Sequence, residues 1–246
     1  MIARYVFTAD AGEKPPLGRA YAFYSYLLSL LPTEVADFLH EQGETPMSQC
    51  LWYDRTTEQY CWKVSVFGDS LIGAVAPVLD ELSELALNTG KVSLRCTEKT
   101  QFSSETFVTT ALSAPVSNRC TLRLPVTASF KQNGRYVLLP QEHLILQSLL
   151  NKWNAFCPEI PLDDPDAVRM LENGIRISDY SLRSGRYPLK DQKIPGFYGS
   201  LTLRVSLPAP LMEIWNILCH FSEYSGVGIK TALGMGGVTL ERDRRA

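Results

Sequence analysis

The fold of this chain is constrained most by one order of segments that occurs twice along its 246 residues. In the first half, the apolar pattern predicts strands at 2–9, 49–53, 59–67 and 91–97, with a further edge segment at 105–112. Helical spacing predicts helices at 17–31, 32–42 and 70–90. The last of these helices is expected to end at Gly90 as a C-cap.

The second half repeats this order after a turn-rich join at 113–119. Strands are predicted at 120–130, 134–140, 174–183, 196–207 and 236–242, and helices at 140–153 and 208–226. A loop is expected at 184–195. Each half approximates β-α-β-β-α-β, the ferredoxin-like arrangement. We therefore predict an α+β fold of two tandem ferredoxin-like (RRM-like) domains, residues 1–115 and 116–246, each an antiparallel sheet with helices on one face.

Composition limits the function classes. The net charge of −2 argues against a globally basic nucleic-acid binder but allows a local basic strip. No apolar run is long enough to span a bilayer, and the N-terminus lacks the apolar middle of a signal peptide, so we expect a cytoplasmic protein. The six cysteines show no metal-ligand spacing and are interpreted as small buried hydrophobes.

The acidic cluster "PLDDPDAVRM" also resembles a metal-binding sequence. Asp163, Asp164 and Asp166 precede a helical start, where carboxylates more often cap free amide groups. We therefore predict helix N-caps here, with no metal site and no cofactor.

The stretch "SGVGIKTALGMGGVTLE", 225–241, raises the question of a phosphate-binding loop. It follows a predicted helix and precedes a strand, which reverses the order of a dinucleotide fingerprint, and Ile229 breaks the P-loop pattern. Glycines let another backbone approach closely, and successive amides can form an anion-binding nest. We therefore expect the loop to contact a nucleic-acid backbone through Gly226, Gly228, Lys230, Thr231, Gly234 and Gly236.

The same loop carries a family resemblance. "YSGVGIKTALGMGG" follows the pattern G-x-G-x5-G-x-G with a basic residue in the spacer, between the last helix and the last strand. It resembles the C-terminal motif of the CRISPR-associated endoribonucleases that process repeat RNA, the sixth Cas family of the RAMP superfamily. "IPGFYGSLTLRV" and "YSYLLSLLPTEVADFLHEQGETPMSQCLW" are similar to further family regions, so the resemblance covers essentially the whole chain. It implies metal-independent cleavage by the ribose 2′-OH, leaving a 2′,3′-cyclic phosphate and a 5′-OH.

Candidate catalytic residues follow from this resemblance. The family's catalytic histidine occupies the "LH" position, which is His40 here, and it is often paired with a tyrosine on the first helix, for which Tyr24 and Tyr26 are available. Ser48 is a candidate hydroxyl donor to the phosphate. The lysine that some members place after the histidine is absent before Lys63, so its role is either missing or supplied from elsewhere. His143 is interpreted as structural and His220 as a surface residue.

Basic residues around the predicted loop at 184–195 form the second candidate RNA contact. Arg183, Arg186, Lys190 and Lys193 can meet phosphates along a hairpin, and Tyr187 can stack on a base. The partner implied is CRISPR repeat RNA; other Cas proteins and a second copy of the chain are further partners that the resemblance allows. Two alternatives stay open: a RAMP subunit that holds guide RNA without cutting it, and a nucleotide-dependent enzyme.

Overall fold

The computed structural model describes residues 1–12, 19–41 and 44–241. A five-stranded antiparallel sheet forms the first half, in the order β2-β3-β1-β5-β4. Its strands are β1 Ile2–Asp10, β2 Met47–Asp54, β3 Gln59–Phe67, β4 Glu84–Leu87 and β5 Gly90–Phe102. The helices of this half are α1 Ala20–Ser29, α2 Thr33–Glu41, α3 Asp69–Glu81 and α4 Ser104–Ser113. The predicted helix start at residue 17 and helix end at residue 42 lie outside the described residues.

A four-stranded antiparallel sheet forms the second half, in the order β11-β6-β10-β9. Its strands are β6 Arg119–Ala128, β9 Ile175–Leu189, β10 Gln192–Val205 and β11 Thr239–Glu241. The short strands β7 Phe130–Gln132 and β8 Arg135–Val137 form a separate hairpin. The helices are α5 Glu142–Phe156, α6 Pro165–Gly174 and α7 Ala209–Ser225. In each sheet the first strand lies between the third and the last, which is the ferredoxin-like order, so the predicted fold class is confirmed.

Three predicted elements are wrong. Residues 70–90 do not form one helix: α3 ends at Glu81, and β4 and β5 make a hairpin through a turn at Asn88 and Thr89. Gly90 opens β5 rather than capping a helix. The segment at 105–112 belongs to α4, because the Ser103 hydroxyl caps the Thr106 amide and Phe107 and Ala111 are buried on one helical face.

The third correction concerns the predicted loop at 184–195, whose residues belong to β9 and β10 on either side of a two-residue turn. β9 and β10 pair from Ile175 opposite Val205 to Leu189 opposite Gln192, so the two strands form one long hairpin with a tight turn at Lys190 and Asp191. Lys190 adopts a left-handed conformation with φ of 52°. The alternation of buried residues continues through Tyr187 and Leu189 because this end of the hairpin packs on other parts of the chain.

The cores of the two halves are joined by packing. α5 and α7 cover one face of the second sheet through Trp153, Trp215 and Phe221. Phe67 and Phe107 from the first half belong to the same cluster. The predicted boundary at residue 115 falls between α4 and β6, yet α4 packs on α7, where Asn216 donates to the Ala111 carbonyl at 2.6 Å.

The start of α6, the cysteines and the lengths of the helices bear on three smaller predictions. The Asp164 carboxylate accepts the Ala167 amide at 2.8 Å at the start of α6, which confirms the predicted N-cap. Four of the six cysteines are buried, whereas Cys96 is exposed and Cys120 is half-buried. In the described ranges, we find no helix with the length and apolar character needed to cross a membrane.

Candidate active site

His40 lies in the last turn of α2 with its side chain exposed. Leu39 beside it is buried in the core of the first half and holds this end of α2 against α1. The imidazole meets the ring of Tyr24 edge-on, with the ring centroids 6.3 Å apart. The packed end of α2 therefore holds His40 in place while its side chain is exposed to solvent. A proton-transfer residue needs this exposure to reach its substrate.

Tyr24, and not Tyr26, is the tyrosine next to His40. The Tyr24 side chain is buried on α1, and its hydroxyl lies 3.5 Å from the Leu39 carbonyl. Burial raises the pKa of Tyr24 to about 12. Tyr26 faces Lys91 at the start of β5 instead. Tyr24 is thus the neighbour of His40, and its hydroxyl is buried between α1 and the end of α2.

Ser48 does not reach the surface. It is buried on β2, and its hydroxyl donates to the Tyr224 carbonyl near the end of α7. This hydrogen bond links the two halves of the chain. Ser48 is therefore not available to donate to a phosphate, which corrects the sequence-based prediction.

The tip of the β9–β10 hairpin reaches across to the helix that carries Tyr24. The ammonium group of Lys190 lies 5.4 Å from the centre of the Tyr21 ring, one helical turn before Tyr24 on α1. Tyr21 also packs with the residues at the base of the tip. The second half therefore brings a cation to α1, although no lysine follows His40 closely in sequence.

The remaining hairpin residues divide into exposed cations and one buried ring. Arg183, Arg186 and Lys193 are exposed along the two strands, as an RNA contact requires. Tyr187 is buried, and its hydroxyl donates to the Leu233 carbonyl at 2.8 Å. Its ring cannot stack on a base in this position. Tyr187 instead joins the hairpin to the glycine-rich loop, which corrects the sequence-based interpretation.

The glycine-rich loop, residues 226–238, is mostly buried between the two halves. Gly226, Gly228, Thr231, Gly234 and Gly236 are all buried, and within this group of predicted contacts only Lys230 is exposed. Amides along the loop donate to protein acceptors: that of Gly228 to the Ser148 hydroxyl at 2.8 Å, and that of Ile229 to the Ser129 carbonyl at 2.9 Å. These amides are not available as an anion nest, and Lys230 is the part of the loop that can meet a phosphate.

The glycines of the loop are explained by close packing against protein. Gly228 has φ of 78°, and a Cβ there would lie 2.2 Å from the Ser129 carbonyl oxygen. Gly234 has φ of 98°, and its Cβ would lie 2.4 Å from the Tyr187 hydroxyl and 2.5 Å from the Ala20 Cβ. A side chain at either position requires the neighbours to move. The loop thus serves as the joint between α1, β2 and the hairpin.

Two buried lysines fix the loop and the end of α7. Lys152 on α5 donates to the Gly228 carbonyl at 2.9 Å and lies 3.4 Å from the Gly226 carbonyl. Lys63 on β3 donates to the Glu223 and Val238 carbonyls at 2.6 and 2.7 Å. Burial lowers the pKa of Lys63 and lowers that of Lys152 to about 8. Both cations face the negative end of the α7 dipole, which favours their charged form.

Known proteins are similar to this chain along most of its length. Residues 122–238 match the family model described as CRISPR-associated endoribonuclease Cas6. A CRISPR-associated endoribonuclease Cas6 of Streptococcus thermophilus is 29% identical over 239 residues, which cover 97% of this chain and 98% of the relative. A Cas6 of Mycobacterium tuberculosis is 26% identical over 223 residues, covering 89% of this chain and 70% of the relative.

A solved structure agrees along the whole chain. The product complex of a Thermus thermophilus Cas6 superposes with a TM-score of 0.77 and 27% identity, covering 98% of this chain and 99% of that one. The resemblance to the Cas6 family is confirmed. The family model of Cas6 spans the β9–β10 hairpin and the glycine-rich loop but not His40, whereas the whole-chain relatives include the first half.

The similarity to Cas6 does not itself assign roles to individual residues. Sequence reasoning missed Lys63 and Lys152, although both gave a signal. Lys63 interrupts the apolar run of β3, and Lys152 lies on the core stripe of α5 between Leu149 and Trp153. A lysine among core positions indicates a buried partner, here backbone carbonyls. No group of three His, Cys, Asp or Glu side chains in the described part of the chain could hold a metal ion.

Proposed function

We propose that this chain is an endoribonuclease that processes CRISPR repeat RNA in the cytoplasm, with residues 1–115 and 116–246 as its two domains. The observation that carries the proposal is the exposed His40 beside Tyr24, on the side of the first half that the hairpin tip reaches with Lys190. Whole-chain similarity to proteins named as Cas6 endoribonucleases supports the same activity.

The reaction we propose needs only groups of the RNA and of this chain. A base removes the proton of a ribose 2′-OH, and the oxygen attacks the adjacent phosphorus. The bond from phosphorus to the 5′ oxygen breaks, and an acid protonates that oxygen. The products are a 2′,3′-cyclic phosphate and a free 5′-OH, without consumption of water. His40 acts as the base or the acid, because imidazole exchanges protons near neutral pH.

Tyr24 and Lys190 have supporting roles in this proposal. The buried Tyr24 ring sets the orientation of His40, and its pKa of about 12 makes it a poor base at neutral pH. The Lys190 cation, held on α1 through Tyr21, stabilises the negative charge that develops on the phosphate. Lys230 and the exposed hairpin cations Arg183, Arg186 and Lys193 hold the RNA backbone. Other Cas proteins or a second copy of the chain are compatible with this role.

The test is cleavage of the cognate repeat RNA in EDTA by the wild type and by His40→Ala. We expect the wild type to leave 2′,3′-cyclic phosphate ends and the variant to lose about 100- to 10,000-fold in rate. His143→Ala is the matched control, because it removes an exposed imidazole from α5 and should cleave like the wild type.

Three outcomes separate the candidate functions. Undiminished cleavage by His40→Ala would refute the assignment of His40 while leaving an endoribonuclease. Cleavage only when a divalent metal is restored would refute the metal-independent mechanism. Binding of the repeat RNA without cleavage by any form would favour the second candidate, a RAMP subunit that holds guide RNA. That candidate is supported by the buried Tyr24 hydroxyl, which lies against the Leu39 carbonyl and is not exposed to RNA.

A further inference from the structure

The second sheet has one face that no helix covers among the described residues. On β6 and β10, Leu122, Leu201 and Leu203 point into the core under α5 and α7. The alternate positions of these strands, Arg119 and Arg204 among them, point to the opposite side. The face is formed by β6, β9, β10 and β11, and we call it the open face. Polar and charged side chains occupy it, so it is not an apolar face that lacks a partner.

One end of the open face carries arginines on three neighbouring strands. Arg204 on β10 is in register with Arg119 on β6 and with Arg176 on β9. Like charges directly opposite each other in a sheet are unfavourable unless an anion neutralises them. The Arg176 guanidinium turns to the Ile175 carbonyl at 2.6 Å. Arg119 and Arg204 have no ion-pair partner in the described ranges.

Arg119 and Arg204 line a shallow depression of about 480 Å³, together with Asn118, Ser178 and Asp179. Asn118 and Ser178 add polar groups to the two guanidinium groups. Asp179 is the one carboxylate in the lining of this depression, so the site keeps a positive balance. Two unpaired guanidinium groups with neighbouring polar groups form a site suited to a phosphodiester.

The other end of the open face carries an aromatic ring beside a cation. Tyr198 on β10 is in register with Arg183 on β9. A Cβ at Gly185 would lie 3.0 Å from the Tyr198 ring, so the ring packs against this glycine. The side chain remains 36% exposed. A ring in this position is a platform on which an unpaired base can stack.

The two ends are separated by a strip of short polar side chains. Thr121 and Thr202 face each other with their hydroxyls 2.9 Å apart, and Ser200 follows toward Tyr198. Tyr198 and Arg204 lie about 20 Å apart along β10 at about 3.3 Å per residue, which is room for several nucleotides. Arg123, beside this strip, is paired with Glu241 at 2.6 Å. The short side chains leave room for a ribose–phosphate chain along the strip, in which Thr202 is buried and Thr121 and Ser200 are half-buried.

We propose that the open face binds a single-stranded segment of RNA, with phosphates on Arg119 and Arg204 and a base stacked on Tyr198. A single strand fits because its bases are free to stack on a ring, whereas those of a duplex are stacked on each other. This inference rests on the proposed function only in taking RNA as the ligand. It adds a second RNA contact, on a surface formed entirely by the second half, to the hairpin tip and His40.

The test measures binding of a fluorescent oligouridine of about ten nucleotides, within the range that single-strand sites occupy. We expect Arg119→Gln/Arg204→Gln to weaken binding about tenfold or more at low salt. The slope of log affinity against log salt should become shallower by about 1.4, because each single-strand phosphate contact contributes about 0.7. The matched control is Arg55→Gln/Arg95→Gln, which removes two exposed arginines from the first half.

A second pair of variants tests the stacking platform. Tyr198→Ala should weaken oligouridine binding about tenfold, and Tyr198→Phe, which keeps the ring, should stay within about twofold of the wild type. Arg204→Gln should not lower the midpoint of thermal unfolding, because it relieves repulsion within the arginine row. This expectation separates loss of binding from loss of fold.

Several outcomes would overturn the inference. It fails if Arg119→Gln/Arg204→Gln binds oligouridine like the wild type, or if Arg55→Gln/Arg95→Gln weakens binding equally. If the affinity for a blunt RNA duplex depended equally on Arg119, Arg204 and Tyr198, the assignment to single-stranded RNA would be contradicted. A protein that binds oligouridine through this face but never cuts repeat RNA would contradict the proposed activity and leave this inference intact.

Discussion

The glycine-rich loop and the β9–β10 hairpin were both expected to contact RNA, and the structure gives them different surroundings. The loop is packed between the two halves, with its glycines against Ser129, Ala20 and Tyr187 and with Lys152 on its carbonyls. The hairpin exposes most of its cations, and its tip alone is packed. The loop therefore positions its neighbours inside the protein, whereas the hairpin presents cations to solvent.

This difference shows how one sequence signal can have two physical causes. Glycine at positive φ and close to another backbone is needed equally by a phosphate nest and by a tight protein joint. What separates the two is where the amides of the loop donate. Because those of Gly228 and Ile229 donate to protein, substitutions in the loop should act on stability, and substitutions of exposed hairpin cations should act on affinity.

The largest effect is expected at Gly228. Gly228→Ala should lower the free energy of unfolding by about 3 kcal/mol, from about 1 kcal/mol of left-handed strain and about 2 kcal/mol of overlap with the Ser129 carbonyl. Gly134→Ala is the matched control: its φ of 77° is nearly the same, but nothing lies within 4 Å of the added Cβ. It should cost about 1 kcal/mol, from strain alone.

Urea unfolding of the two alanine variants measures this difference in the free energy of unfolding. The RNA affinity of both variants is then measured at a temperature where both are folded. If Gly228→Ala were as stable as Gly134→Ala yet bound RNA many times more weakly, the loop would be a direct RNA contact after all. The loop and the hairpin would then both contact RNA directly.

The next effect concerns pH and Lys152. The folded-state pKa of about 8 lies below the ordinary 10.5, so between these values the unfolded chain holds more protons and stability rises with pH. From about pH 7.5 to about pH 9.5 this group should add about 2 kcal/mol to the free energy of unfolding. Lys152→Met lacks the titrating group, so the stability of the wild type relative to this variant should rise by that amount.

Chemical denaturation at several pH values gives the difference between wild type and Lys152→Met directly. Lys91→Met serves as the control for removal of a lysine, since Lys91 is exposed on β5. A wild-type advantage that stays flat across this pH range would mean that Lys152 is accessible to water, and the loop would not be the sealed joint described above.

Much of the fold was readable from sequence, because local periodicity and sheet topology agree. The two β-α-β-β-α-β runs and the N-cap at Asp164 were predicted from local pattern. The prediction of one helix over residues 70–90 was wrong because Leu85 and Leu87 fit helical spacing as well as the alternation of a short strand. Local sequence cannot separate the two when a partner strand decides the outcome.

The candidate site was less predictable, because its contacts are long-range. Tyr24 could be chosen over Tyr26 only when the packing of α2 on α1 was known. Lys190 lies 150 positions after His40 in the sequence, and only the hairpin register brings it to α1. Burial of Ser48 and Tyr187 likewise depends on how the two halves pack. Residue type and spacing therefore gave candidates, and tertiary packing separated surface groups from structural ones.

The smallest effect on stability is expected from substitutions of exposed cations in the hairpin. Arg186→Gln/Lys193→Gln removes two exposed cations from paired strands without touching the core. Its free energy of unfolding should stay within about 0.5 kcal/mol of the wild type. Its affinity for the repeat RNA should fall about tenfold at low salt, and the salt slope should fall by about 1.4 if the contacted RNA is single-stranded.

Competition with salt distinguishes this loss from an indirect one. Direct phosphate contacts release counterions, so the deficit of the variant should shrink as salt is raised, and it should disappear where the wild type itself no longer binds. Arg55→Gln/Arg95→Gln, with the same change of charge in the first half, should keep wild-type affinity. A deficit that persists unchanged at high salt would mean that the hairpin acts through packing as the loop does, and the two regions would then differ in exposure but not in role.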